Sequence, residues 1–158
     1  MSADLRDYLA IRAEESKRKF ASDGGLRIDR NELAERLVGS EGYLADYPDG
    51  LKRAEIKSLY DSYLAAYIHG YRYDAIDEKT MKLLPAVKQQ YTNFIGQHPE
   101  TKTAQVVKAY LDILNQNNDV VYNPGVKGES ILGSPKSNVS EFWDGLEERA
   151  GRLFDTKK

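Results

Sequence analysis

The sequence predicts an all-α fold: five or six helices in antiparallel hairpins, forming a single domain over residues 1–158. Three observations predict it. A segment occurs twice, 51 residues apart, so that Tyr43 aligns with Phe94, Leu44 with Ile95, Pro48 with Pro99, Ile56 with Val107 and Tyr63 with Leu114. Self-similarity at a fixed period is the mark of stacked supersecondary units. Apolar residues recur at helical steps, most clearly at Ile56, Leu59, Tyr60, Tyr63, Leu64, Tyr67 and Ile68. Start and stop residues bound those stripes where helices should begin and end.

The first helix is expected over residues 3–21, with Leu5, Tyr8, Leu9 and Phe20 as core contacts and the run from Arg12 to Lys19 as a solvated face. Asp23-Gly24-Gly25 signals a turn. A second helix starts at Asp29, a capping residue with Glu32 three positions on to complete a capping box. It ends at Tyr47-Pro48-Asp49-Gly50, because proline disfavours helix at the residue before it. The third helix spans about 51–69, with Leu51 opening its stripe and Gly70 as C-cap. Residues 71–79 read as a connector. Helix four begins between Thr80 and Pro85 and runs to Gln97, burying Val87, Tyr91, Phe94 and Ile95. Helix five covers about 102–116, with Ala104, Val107, Tyr110, Leu111 and Leu114 on one face and Asn115–Asp119 ending it. The repeat-like units are therefore about 29–70 and 80–117. A long loop, 118–139, follows. The terminal helix, 140–154, would be capped by Asn138 with Glu141, presents Phe142, Leu146, Ala150, Leu153 and Phe154, and is expected to close the open end of the units.

Composition bounds the function. At 158 residues the chain can bury roughly 70% of its unfolded surface. It is 41% hydrophobic and 30% charged, which argues against global disorder. With 23 basic and 25 acidic side chains it has no electrostatic footprint for nucleic acid. The absence of cysteine excludes disulfides, thiolate metal sites and a cysteine nucleophile. No apolar run approaches the roughly 18 residues of a membrane span. The start, Met1-Ser2-Ala3-Asp4-Leu5-Arg6, has no apolar signal-peptide core, so the chain as given reads as cytoplasmic; a removed leader would place it in the cell envelope or outside the cell.

Catalytic motifs are missing. His69 and His98 have no ligand-spaced partner, and no metal or cofactor is expected. Gly125-Val126-Lys127-Gly128-Glu129-Ser130 lacks the spacing of a phosphate loop, and Gly133-Ser134-Pro135 is not a nucleophile elbow. Asp74, Asp77 and Glu78 are not spaced as a calcium loop. Asn138-Val139-Ser140 matches a glycosylation sequon. Eleven tyrosines stand out, and Tyr60, Tyr63, Tyr67, Tyr71 and Tyr73 cluster in or after helix three. They read either as core packing or, for Tyr67, Tyr71 and Tyr73, as the lining of a partner-binding surface, because tyrosine is rigid and amphipathic. Tyr122 joins that surface through the long loop. Trp143, the one tryptophan, packs under the loop or anchors a partner.

The stretch Tyr91 to Val107, with Phe94-Ile95, Pro99, Ala104 and Val107 at their spacings, resembles the helix-turn-helix boundary of tetratricopeptide-like repeats, of the kind found in bacterial cell-envelope lipoproteins and barrel-assembly scaffolds. The resemblance covers 40–64 and 91–114. The period of 51 departs from the usual repeat of about 34, and the repeat's Trp and Leu-Gly positions are absent. The resemblance implies a non-enzymatic scaffold binding a protein or peptide, often extracytoplasmic, with no catalytic residues to carry over. The alternative is a small-ligand binder or enzyme with a cleft between the helices and loop 118–139, using His69, Asp74, Tyr122 and Glu129.

Overall fold

A computed structural model describes residues 2–22, 25–69, 72–125 and 132–155, and it is mostly helical. Helix α1 (Ala3–Lys17) leads into a two-residue hairpin, β1 (Ala21–Ser22) with β2 (Gly25–Leu26). Two helix pairs follow: α2 (Arg30–Asp46) with α3 (Arg53–Ile68), and α5 (Pro85–Gln97) with α6 (Lys102–Gln116), separated by the one-turn α4 (Arg72–Ala75). A second hairpin, β3 (Tyr122–Pro124) with β4 (Leu132–Pro135), precedes α7 (Ser137–Asp144) and α8 (Leu146–Asp155).

Local chemistry explains the helix ends. The Asp29 carboxylate accepts from the Glu32 N–H at 2.7 Å, satisfying one of the four orphan donors at the start of α2. Only that half of the capping box forms, because the Glu32 carboxylate turns to Arg18 and Arg36 instead. Thr101 caps α6 in the same way through the Ala104 N–H at 3.0 Å. Pro85 stands at the start of α5, where its missing N–H costs nothing. Both pairs are antiparallel. Arg30 at the head of α2 reaches the Tyr67 carbonyl at the tail of α3 (2.6 Å), and Lys88 in α5 reaches Asp119 just past α6 (2.9 Å).

One hydrophobic core joins the pairs, with Leu33, Leu37, Ile56, Tyr60, Val107 and Leu114 all fully buried. The carboxylate of Glu41, itself buried, binds them together. It accepts from the N–H groups of Lys102 (2.8 Å) and Thr103 (2.9 Å) and from the Thr103 hydroxyl (2.7 Å). A side chain of α2 thus supplies the missing acceptors at the N-terminus of α6, where the helix dipole also favours negative charge.

Several boundaries differ from the sequence reading. α1 stops at Lys17, and no residue in it is buried: Leu5 and Leu9 are exposed, and Tyr8 and Phe20 only half-buried. Leu51 is 95% exposed in the turn before α3 and contributes nothing to its stripe. Segment 118–139 is not a structureless loop. Leu83 N–H donates to Asp119 O and Val121 N–H to Met81 O, tying it to the connector before α5, and Val121, Tyr122 and Leu132 enter the core. Within the β3–β4 hairpin a Cβ on Gly133 would lie 2.5 Å from the Pro124 carbonyl, so only glycine permits the approach. The terminal helix is two helices, broken at Gly145. Asn138 lies inside α7 rather than capping it, exchanging amide hydrogen bonds with Asn117 (2.7 and 3.1 Å). α8 packs across α3 and α6, with Phe154 edge-on to Tyr60. Positions Asp23, Gly24, Gly70 and 126–131 lie outside the described residues.

Candidate functional site

A groove of about 540 Å³ opens between α1 and α2. Ala10, Ile11 and Glu14 of α1 form one wall; Glu35 and Gly39 of α2 form the other; Arg36 and Tyr63 lie at its floor. The floor is an ion-paired network. Arg36 places one guanidinium nitrogen 2.8 Å from Glu15 and another 2.8 Å from Glu32. The Arg36 side chain is 5% exposed and that of Glu15 14%, so this pair is sheltered and screening by salt is weak. Glu15 also accepts from the Tyr63 hydroxyl (3.0 Å) and from the Phe20 N–H (3.2 Å). Burial, reinforced by the charge of Glu15, pushes the Tyr63 phenol well above its ordinary range, so it stays a neutral donor. Burial alone would lower the Arg36 pKa, but Tyr63, Glu15 and Glu32 outweigh it and the net direction is upward. An arrangement so internally satisfied presents shape and fixed charge to an occupant; it does not hold a poised acid or base.

A second cleft, about 490 Å³, lies between α5 and the connector before it, lined by Thr80, Lys82, Lys88, Gln89 and Asp119. Asp77 organises its rim by accepting from the Lys79 and Thr80 N–H groups (2.8 and 3.4 Å). Met81, Asn118 and Asp119 adopt left-handed backbone, with φ of 62°, 54° and 68°. Asn and Asp take that conformation readily after a helix; Met does so rarely and is held by the bonds of its N–H to Asp77 O and of its carbonyl to Val121 N–H.

The residues singled out from sequence fall elsewhere. Tyr67 is 1% exposed: its ring packs on Tyr91 and Phe94, and the Arg30 guanidinium sits 4.7 Å over it. Tyr122 is 3% exposed in β3. Trp143 is half-buried, stacked on His69 at 4.0 Å, facing Tyr122, and donating from Nε1 to the Tyr110 hydroxyl at 3.3 Å. Tyr67 and Tyr122 thus belong to the core, with half-buried Trp143 at its edge, and the reading of Tyr67 and Tyr122 as surface residues is corrected. The reason is that Tyr91 and Phe94 of α5 and Arg30 of α2 cover Tyr67, while the pairing of β3 with β4 turns Tyr122 inward beside Trp143. Tyr71 and the side chain of Tyr73 lie outside the described residues, as does Glu129. His69 and Tyr122 both border Trp143, while Asp74 is exposed on α4; none of these lines either cleft.

Sequence reasoning passed over the groove because Arg12–Lys19 reads as a solvated face. The usable signal was the i, i+4 pair Glu32–Arg36 in a helix that also carries an apolar stripe. Among the described residues no three His, Asp or Glu side chains are grouped to hold a metal ion, and no helix is long and apolar enough to cross a membrane. No protein-family model matches the chain, and neither a curated protein nor a solved structure is significantly similar to it.

Proposed function

We propose that this chain is a non-enzymatic scaffold that binds a protein or peptide, built from two tetratricopeptide-like helical hairpins, with the α1–α2 groove as its binding surface. Two features of the helix pairs support the repeat reading. α2 and α5 end 51 residues apart with nearly the same cap geometry, φ −129° and ψ 65° at Tyr47 against φ −132° and ψ 54° at His98. Tyr43 and Phe94, Ile56 and Val107, and Tyr63 and Leu114 are buried in both.

The observation that carries the choice of surface is the α1–α2 groove with its sheltered Arg36–Glu15 floor, and one residue of its wall, Gly39, leaves the α2 backbone open to an occupant. That glycine sits in the interior of α2, where glycine costs about 1 kcal/mol relative to alanine. A Cβ placed there meets nothing within 4 Å, so packing within the fold does not require the glycine. The same is true of Gly42, Gly96 and Gly151, and Gly39 differs from them in lining the groove. The groove volume is in the range of about 300–1,000 Å³ that ligand sites occupy, enough to take a few side chains of a partner.

Affinity capture with Gly39→Ala and Gly39→Leu tests the reading. Gly39→Ala is expected to raise stability by about 1 kcal/mol in urea unfolding. Gly39→Leu fills the groove and is expected to lose the captured partner while still folding. Undiminished capture by Gly39→Leu would exclude the groove.

A further inference from the structure

We infer that α1 is a detachable wall of the groove: a helix that leaves the α2–α3 face by local opening, without unfolding the core. The gating role rests on the binding reading above; the movement itself does not.

The argument starts from what holds α1. None of its residues is buried, and it has no apolar stripe. Tyr8, Ile11 and Phe20 rest half-buried on the core. The specific attachments are polar. The Tyr8 hydroxyl donates to Glu55 (2.5 Å), Tyr47 donates to Asp7 (2.6 Å), Tyr63 donates to Glu15 (3.0 Å), and Arg36 pairs with Glu15 (2.8 Å). Water replaces such bonds at small net cost when they open, whereas it cannot replace buried apolar contact. An isolated helix of 15 residues is marginal in water, so opening is also an order-to-disorder transition. The tether stays in place, because the Arg27 N–H donates to the Phe20 carbonyl at 2.8 Å beside the β1–β2 hairpin.

Opening would convert the groove into an open face on which Arg36, Tyr47, Tyr63 and Gly39 are reached together. A partner that fits the groove binds beside seated α1, whereas a segment too wide for it enters only while α1 is open, with its affinity reduced to that open fraction.

Native-state hydrogen exchange on the full chain, without partner, tests this directly. α1 amides are expected to exchange through an opening with a much smaller denaturant slope than global unfolding, which α3 and α6 amides follow. Asp7→Asn and Glu15→Gln keep an acceptor oxygen but lose its charge, and should each speed α1 exchange, sheltered Glu15→Gln by about tenfold and half-exposed Asp7→Asn by less, with α3 unchanged. If α1 is protected as strongly as α3 and both open together, the inference is overturned; unaltered α1 exchange in both variants overturns it as well. Local opening combined with full partner capture by Gly39→Leu would leave the hinge standing and remove the binding reading instead.

Discussion

α1 and α2 are similar in length, 15 and 17 residues, and lie against each other, yet different forces hold them in place. α2 buries seven residues, among them Leu33, Leu37 and Leu44, and contributes a capping side chain to each helix pair: Arg30 to the carbonyl end of α3 and Glu41 to the amide end of α6. α1 buries none and is attached by phenol–carboxylate bonds and one sheltered ion pair. Equal helix content therefore says little about equal stability. What matters is whether the contacts exclude water or merely replace it.

The largest expected effect comes from removing the link at the base of α2. Glu41→Ala removes the acceptor of the buried Thr103 N–H and of the part-buried Lys102 N–H, leaves the Thr103 hydroxyl only Tyr60 as partner, and should cost about 4 kcal/mol. At this size that lowers Tm by about 10 °C in calorimetry. A variant that unfolds at the wild-type temperature would mean that water caps α6 equally well.

Next is a paired truncation. Leu37→Ala, at a fully buried site, is expected to cost about 3 kcal/mol, whereas Leu9→Ala, at a site 45% exposed on α1, should stay within about 0.5 kcal/mol. Urea midpoints compare them. Equal losses would show that α1 packs more tightly than its exposure indicates.

The smallest effect is alkaline. The bond to Asp7 raises the Tyr47 phenol to about 12 from an ordinary value near 10. Because the folded value lies above the unfolded one, this contribution is complete below about pH 10 and is lost as pH rises through 12. The bond from Tyr8 to Glu55 raises that phenol in the same direction. Aliphatic carbon signals of α1 followed by NMR should leave their folded positions across that window before those of α3, and Tyr47→Phe should remove the Tyr47 part of the step. Simultaneous loss in both helices would contradict the contrast.

Local signals made much of the fold legible. α6 follows from its apolar spacing and from the Asn-rich stretch behind it; the start of α2 follows from Asp29, and that of α5 from Pro85. The features that escaped depend on contacts between distant residues. Tyr122–Pro124 and Leu132–Pro135 are strands too short for alternation to register, and they pair only because Gly133 lets two backbones meet. Phe142, Leu146 and Ala150 keep one helical spacing straight across the break at Gly145, so the sequence conceals two helices as one. The groove was half visible: Glu32 and Arg36 are helix neighbours, but Glu15 joins them only when α1 docks. Tyr67 shows the converse limit, since periodicity marks the apolar face of α3 but not that both sides of it are covered.

The Glu41 carboxylate also bears on the order of events during folding. Its partners lie 61 and 62 residues downstream, so when α2 first forms, the carboxylate has no acceptor role to fill and stays hydrated. Packing the two hairpins together dehydrates the carboxylate and the leading amides of α6 at one step, and only their mutual bonds offset that loss of water. Each hairpin supplies what the other lacks. The pair should therefore unfold in a single two-state transition, unlike a repeat array whose units melt one after another, and neither hairpin should persist as a separate fragment.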